Sequence, residues 1–169
     1  MENTKVIIGL TNPQSPSNVG GVLRAAGCYQ ADKVCYTGVR YDTAMKFSSN
    51  TQKEGRNIPI SWTEDFLSDL EEDVKIICVD FIEGAIPLPE FKHPEKAIYI
   101  FGAEDGTVLQ DVIDKADAAV YVPTVGCMNL AASVNVLLYD RLAKSKGVVQ
   151  GDDLIRSSRD MKNNRKFTK

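Results

Sequence analysis

The apolar positions of this chain come in short blocks separated by polar turns. In residues 5–10 Val6, Ile7 and Ile8 form a continuous apolar run, which predicts a strand covered on both faces. Similar blocks at 33–37, 58–62, 74–79, 97–101 and 118–122 predict further strands. Between them the period changes to that of a helix. Val19, Val22, Leu23 and Ala26 share one helical face, and Asn18 is placed to cap that helix. Leu130, Val134, Leu137, Leu138 and Leu142 fall at i, i+4, i+7, i+8 and i+12, predicting a long helix from Asn129 to about Lys146. A shorter helix is expected over 107–115. An acidic helix, capped by Ser61 or Thr63 and running to about Leu70, would carry Glu64 and Asp65 where the helix dipole favours them. Asp152 or Asp153 is expected to cap a last helix. Residues 41–56, polar and basic, read as irregular with a helical turn, and 84–94 as a proline-rich loop. Strands alternating with helices predict an α/β domain with a mostly parallel sheet flanked by helices.

Composition narrows the class. With 169 residues, 43% of them hydrophobic, the chain suits one domain with a real core. No apolar run is long enough to span a bilayer, and the N-terminus lacks a signal-peptide core, so a cytoplasmic protein is expected. Cys28, Cys35, Cys78 and Cys127 show no C-x-x-C spacing, which argues against a disulfide framework or a metal site. The first three read as buried thiols acting as small hydrophobes. His93, the single histidine, lies in the proline-flanked loop and reads as a surface residue. With one histidine and no serine elbow, a hydrolase triad is not expected.

The net charge of −3 weighs against a nucleic-acid binder, but local potential decides such binding. Acidic residues cluster at 64–73 and 104–117, while other stretches are basic. Arg40, Lys46, Lys53 and Arg56 form one basic group. Arg156, Arg159, Lys162, Arg165 and Lys169 form another, spaced as a stripe on a helix. The expected organisation is a domain over 1–147 and a basic C-terminal helix or tail over 148–169.

Three stretches carry candidate chemistry. In Asn12-Pro-Gln-Ser-Pro-Ser-Asn-Val-Gly-Gly-Val-Leu-Arg-Ala-Ala-Gly27, Arg24 has no acidic residue close in sequence, which hints at a phosphate partner. In Phe101-Gly-Ala-Glu-Asp-Gly106, Gly102 and Gly106 permit close backbone approach to a ligand. In Val120 to Asp140, a strand is stopped by Pro123, bends at Gly126 and starts a small-residue helix near Asn129, a common ligand-binding corner. A Rossmann-like oxidoreductase is an alternative, but Gly20-Gly21 followed by Gly27 does not fit G-x-G-x-x-G.

In this order the three stretches resemble the motifs of the SpoU (TrmH) RNA 2′-O-methyltransferases of the SPOUT class, over about residues 5 to 145. The resemblance implies a C-terminal trefoil knot, a homodimer and S-adenosylmethionine as cofactor, with no metal. It implies a tRNA, less readily an rRNA, as substrate. Asn18, Arg24, Glu104 and Asn129 would be the catalytic set, with Glu104 acting through Arg24 and Asn18 holding Arg24 in place. Val79, Phe101, Gly102, Gly106, Val122, Cys127, Met128 and Leu130 would hold the cofactor. Arg24, Arg40, Lys46, Arg56, Arg156 and Arg159 are the RNA-contact candidates. Two positions depart from the family. Cys127 stands where it has serine, which keeps a non-catalytic RNA-binding homologue open, and Asp105 where it often has a small or basic residue.

Overall fold

A computed structural model describes residues 4–47 and 58–168. Its strands are β1 (Lys5–Leu10), β2 (Lys33–Tyr36), β3 (Ile60–Trp62), β4 (Lys75–Val79), β5 (Ile86–Pro87), β6 (Lys96–Phe101) and β7 (Ala118–Tyr121). Its α-helices are α1 (Pro16–Cys28), α2 (Arg40–Phe47), α3 (Gln110–Ile113), α4 (Leu130–Lys144) and α5 (Asp152–Ser158). The strands form one sheet in the order β3-β2-β1-β6-β4-β7-β5, and every pairing is parallel. The α/β class with a parallel sheet therefore holds.

Side chains of a strand alternate between faces. Ile8, Leu10, Tyr99 and Phe101 join one core with Val19 and Val22 of α1 and Val134, Leu137 and Leu138 of α4. Ile7, Ile98 and Ile100 join a second core on the opposite face with Phe66, Val74 and Val108. The central strands are thus buried twice, which is why they read as unbroken apolar runs. The α1–α4 contact is close: a Cβ added at Gly21 would lie 2.8 Å from the Cβ of Ala131.

Several expectations fail locally. The acidic helix after residue 62 does not form, and turns replace it. There Thr63 Oγ1 donates to the Asp65 carbonyl, and Asp65 Oδ1 accepts from Leu67 N–H, giving the backbone a local alternative to a helix. Only four residues of the 107–115 helix are helical, Gln110–Ile113. The irregular 41–56 segment begins as a regular helix, α2, and its remainder lies outside the described residues. The proline-rich loop contains β5 and a 3-10 turn, Leu88–Glu90. Leu142, assigned to the apolar face of α4, is exposed, and Cys28 is exposed rather than buried. The basic C-terminal helix stops at Ser158, so no helical stripe extends from Arg156 onward. Its N-cap is Gly151 rather than an aspartate, and α5 buries no residue.

His93 is the largest reversal. Its side chain is 5% exposed. Nδ1 lies 2.7 Å from the Tyr99 hydroxyl and Nε2 2.9 Å from Asp140. Arg141 donates to the same hydroxyl and to the Glu95 carbonyl, and Lys144 donates to the Leu88 and Phe91 carbonyls. This polar cluster ties the second half of α4 to the 88–95 loop. Burial pushes the His93 imidazolium below its ordinary range, and Asp140 opposes that shift only in part.

Candidate active site

Strand register places the three motif stretches together. Leu10 lies opposite Phe101 across β1 and β6, Phe101 opposite Val79 across β6 and β4, and Val79 opposite Val120 across β4 and β7. The parallel strands therefore end on one edge of the sheet. Open α/β sheets bind ligands at the carboxyl ends of their strands, where the chain direction reverses from one side to the other. Here β1 leads outward to β2 and β3, while β6, β4, β7 and β5 lie on its other side.

A cleft opens at this edge. Its lining includes all eight residues that the resemblance assigns to the cofactor: Val79, Phe101, Gly102, Gly106, Val122, Cys127, Met128 and Leu130. It also includes Asp80, Phe81, Tyr121 and Ser133, which the sequence reading missed. The signal for Asp80 and Phe81 was present, since they directly follow the 74–79 strand. Asp80 Oδ2 accepts from Val108 N–H at 3.1 Å and Oδ1 from Phe81 N–H at 2.8 Å. It thereby holds the end of the 102–108 loop down on the strand end of β4. Only glycine fits at 102, because a Cβ would lie 2.7 Å from Asp80 Oδ2 and 3.0 Å from the Thr107 backbone.

Three of the four residues assigned to catalysis meet at the rim. Glu104 accepts from Gln14 N–H at 3.0 Å, Ser15 N–H at 3.1 Å and Asn18 Nδ2 at 3.3 Å. Asn129 Nδ2 donates to Asn18 Oδ1 at 2.7 Å, and Asn129 Oδ1 accepts from Ala131 N–H at 2.8 Å. Asn129 is thus the N-cap of α4, whose start was expected near this residue. Asn18 is not a cap. Ser15 caps α1 and Pro16 occupies its first position, which leaves the Asn18 side chain free to join Glu104 to Asn129. Burial raises the Glu104 pKa, but the hydrogen bonds it accepts more than offset this and hold the carboxyl below its usual range. Glu104 is therefore a fixed anion at neutral pH and a poor proton acceptor.

Arg24 does not join this group. It is exposed and makes no hydrogen bond or ion pair with described residues. It follows Asn18 by six residues, which places it about 9 Å further along α1 and turned away by roughly a third of a circle. Neither Glu104 nor Asn18 holds it, contrary to expectation. Asp105 is bound instead by Arg40, with Nη1–Oδ2 at 2.8 Å and Nη2–Oδ1 at 2.9 Å. Of the other RNA-contact candidates, Lys46 is exposed, Arg156 pairs with Asp153, and Arg159 is half-buried. Lys53 and Arg56 lie outside the described residues. Among the described residues no group of His, Cys, Asp and Glu side chains is arranged to hold a metal ion. No described helix is long and apolar enough to cross a membrane.

The family model described as the SpoU rRNA methylase family matches residues 5–139. The chain belongs to that family. A search of curated proteins finds no match. Among solved structures this SpoU-family chain is similar to the AdoMet-bound rRNA methyltransferase of Sinorhizobium meliloti, with a TM-score of 0.66 and 19% identity. That likeness covers 85% of this chain and 57% of the other, so the chain spans little more than half of that protein. It is similar to the A. aeolicus TrmH/SpoU tRNA modifying enzyme, with a TM-score of 0.68, 16% identity, and coverage of 83% and 75%. A third structure, described for the 2-OH methylation of C/U34 on tRNA, has a TM-score of 0.67 and 18% identity, covering 85% of this chain and 92% of that one. These likenesses are to the fold.

Proposed function

We propose that this chain transfers a methyl group from S-adenosylmethionine to a ribose 2′-hydroxyl of RNA. The observation that carries the reading is the junction of Glu104, Asn18 and Asn129 at the mouth of the strand-end cleft. A tRNA is favoured as substrate, supported by the chain's 92% coverage of the structure described for tRNA C/U34. The compartment is the cytoplasm, no metal takes part, and the trefoil knot belongs to the same reading.

The cleft suits the cofactor. Val79, Val122 and Leu130 supply apolar walls for a flat adenosine, and the glycine required at 102 lets the backbone approach it. When bound, S-adenosylmethionine supplies a methyl carbon already activated by its sulfonium. The protein's task is then to place the hydroxyl in line and to accommodate charge as the proton leaves. Neither nearby carboxylate is suited to take that proton. Glu104 and Asp80 both spend their oxygens on backbone N–H groups. His93 is bonded to Asp140, about 16 Å along α4 from Asn129, and does not line the cleft. Arg24 is the group that grips an RNA phosphate and steadies the developing alkoxide. It faces away from its own chain's cleft, so it serves the cleft of a partner subunit. Val136 and Tyr139, exposed on α4, give such a homodimer apolar surface to cover.

Two measurements test this. Calorimetric titration with S-adenosylhomocysteine should show binding that a chelator leaves unchanged. Tritiated methyl incorporation should appear with tRNA and fall by roughly ten- to a hundredfold in Arg24→Ala, as loss of a charge-assisted contact costs about 1.5–3 kcal/mol. Its melting temperature should stay unchanged, since Arg24 holds no described residue of its own chain. Full turnover in Arg24→Ala would remove Arg24 from the mechanism.

A further inference from the structure

Asp105 departs from the family pattern, and Arg40 was expected to meet RNA. The structure makes them each other's partner. We propose that Arg40 and Asp105 form a positioning latch that locks the 102–106 loop to the Asn12 loop and so sets how tightly the cleft holds its nucleoside ligand. The proposal rests on the reading of the cleft as a cofactor site.

One guanidinium bridges two loops distant in sequence. Its Nη1 and Nη2 donate to the two Asp105 oxygens at 2.8 and 2.9 Å. Its Nε and Nη2 donate to the Asn12 carbonyl at 3.0 and 2.7 Å. Four of the five N–H groups of an arginine are thereby spent, which leaves little for a phosphate. A lysine has no such fork and cannot hold both loops in this way. The Asn12 end is itself rigid. Asn12 has φ of 41°, its N–H donates to Thr37 Oγ1 at 3.2 Å, and its Oδ1 accepts from Arg40 N–H at 3.4 Å. Gly38, with φ of 74°, closes over it, and a Cβ at 38 would run into the Asn12 side chain.

The other end bears on the cleft. Gly102, Ala103, Glu104 and Gly106 line it, and Asp105 lies between them on the outer side. Glu104 ties the loop to Gln14, Ser15 and Asn18, and Asp105 ties it, through Arg40, to Asn12. Adjacent residues thus anchor one loop to two successive parts of the segment that enters α1. With one anchor gone the loop can pivot about the other, and the cleft wall moves with it. Asp105 is held below the usual carboxylate range by Arg40, so the pair stays charged at neutral pH.

The test uses the full chain as Arg40→Met, Asp105→Asn, the double variant and the conservative Asp105→Glu. Binding of S-adenosylhomocysteine is read by calorimetry, and exchange of the Gln14 and Ser15 amides is read without ligand. Each single variant should weaken binding about three- to tenfold and speed that exchange. The double variant should be no weaker than Arg40→Met, and Asp105→Glu should recover most of the affinity. Additive losses, or unchanged affinity and exchange, would overturn the latch. So would a loss confined to RNA affinity and its salt slope in Arg40→Met, which would make Arg40 an RNA contact. If the wild-type protein binds no S-adenosylhomocysteine, the cofactor reading fails, and the amide exchange alone then decides whether the latch exists.

Discussion

Asn18 and Asn129 each have a donating and an accepting end, and only one orientation of each satisfies this site. A carboxylate only accepts, so Glu104 compels Asn18 to present its NH2. That leaves Asn18 Oδ1 for the Asn129 NH2, and Asn129 Oδ1 for the first N–H groups of α4. One anion therefore orients two amides in series and ends on a helix start. Asn129→Asp should separate the two tasks of that residue. Aspartate keeps the cap, so Asn129→Asp should destabilise less than Asn129→Ala, which loses about 0.5–2 kcal/mol with the cap. The new oxygen would oppose Asn18 Oδ1, and methyl transfer should drop at least tenfold; activity that survives intact would show the network to be structural only. Cys127 is exposed at the cleft. Cys127→Ser should leave turnover equal or higher, because a hydroxyl bonds better than a thiol there. A collapse of the tritium assay would instead make the thiol essential.

Helix pairing shows how one small residue can position a site. The first turns of α1 and α4 carry Asn18 and Asn129, and they approach closely because residue 21 has no Cβ. Gly21→Ala should force that contact apart, costing about 1–3 kcal/mol by urea denaturation and weakening ligand binding with it. Unchanged stability and affinity would show that α1 and α4 can slide without disturbing the rim. The same scale explains the wrong start of α1. Ser15-Pro16 is a cap followed by a first-position proline, and Asn18 merely lies nearer the apolar run. The acidic stretch after residue 62 shows the converse. Phe66, Leu67 and Leu70 were available for a helical face, yet they cover the second core from turns held by Thr63 and Asp65.

Across the whole molecule, pH should act first through His93. Its folded pKa lies below that of the unfolded chain, so the unfolded state binds the proton more readily. Nothing is lost above about pH 7, where both states are neutral. Stability should fall as pH drops through roughly 6.5 and continue to fall until the folded form also protonates. Glu104, Asp105 and Asp117 are shifted down from ordinary carboxylate values and titrate at lower pH, leaving the window from 7 to 5 to the imidazole. Urea midpoints over that window should slope for the wild type and flatten for His93→Gln. Equal slopes would mean that the cluster under α4 relaxes to take the charge.

The local sequence alone determined the strand runs, the two long helices, the start of the second near Asn129 and the three motifs whose order marked the family. These rest on interactions within a few residues: apolar period, φ restriction at proline, and side-chain capping. Only the tertiary structure decided which polar groups meet. Glu104 holds Asn18 rather than Arg24 because β1 and β6 pair in parallel and bring residues far apart in sequence to one edge. Arg40 reaches Asp105 for the same reason, and His93 is buried because Tyr99 and Asp140 converge on it from a strand and a helix. Hydrogen bonds between distant residues leave no periodic trace in the chain, since their partners are set by strand register and helix packing.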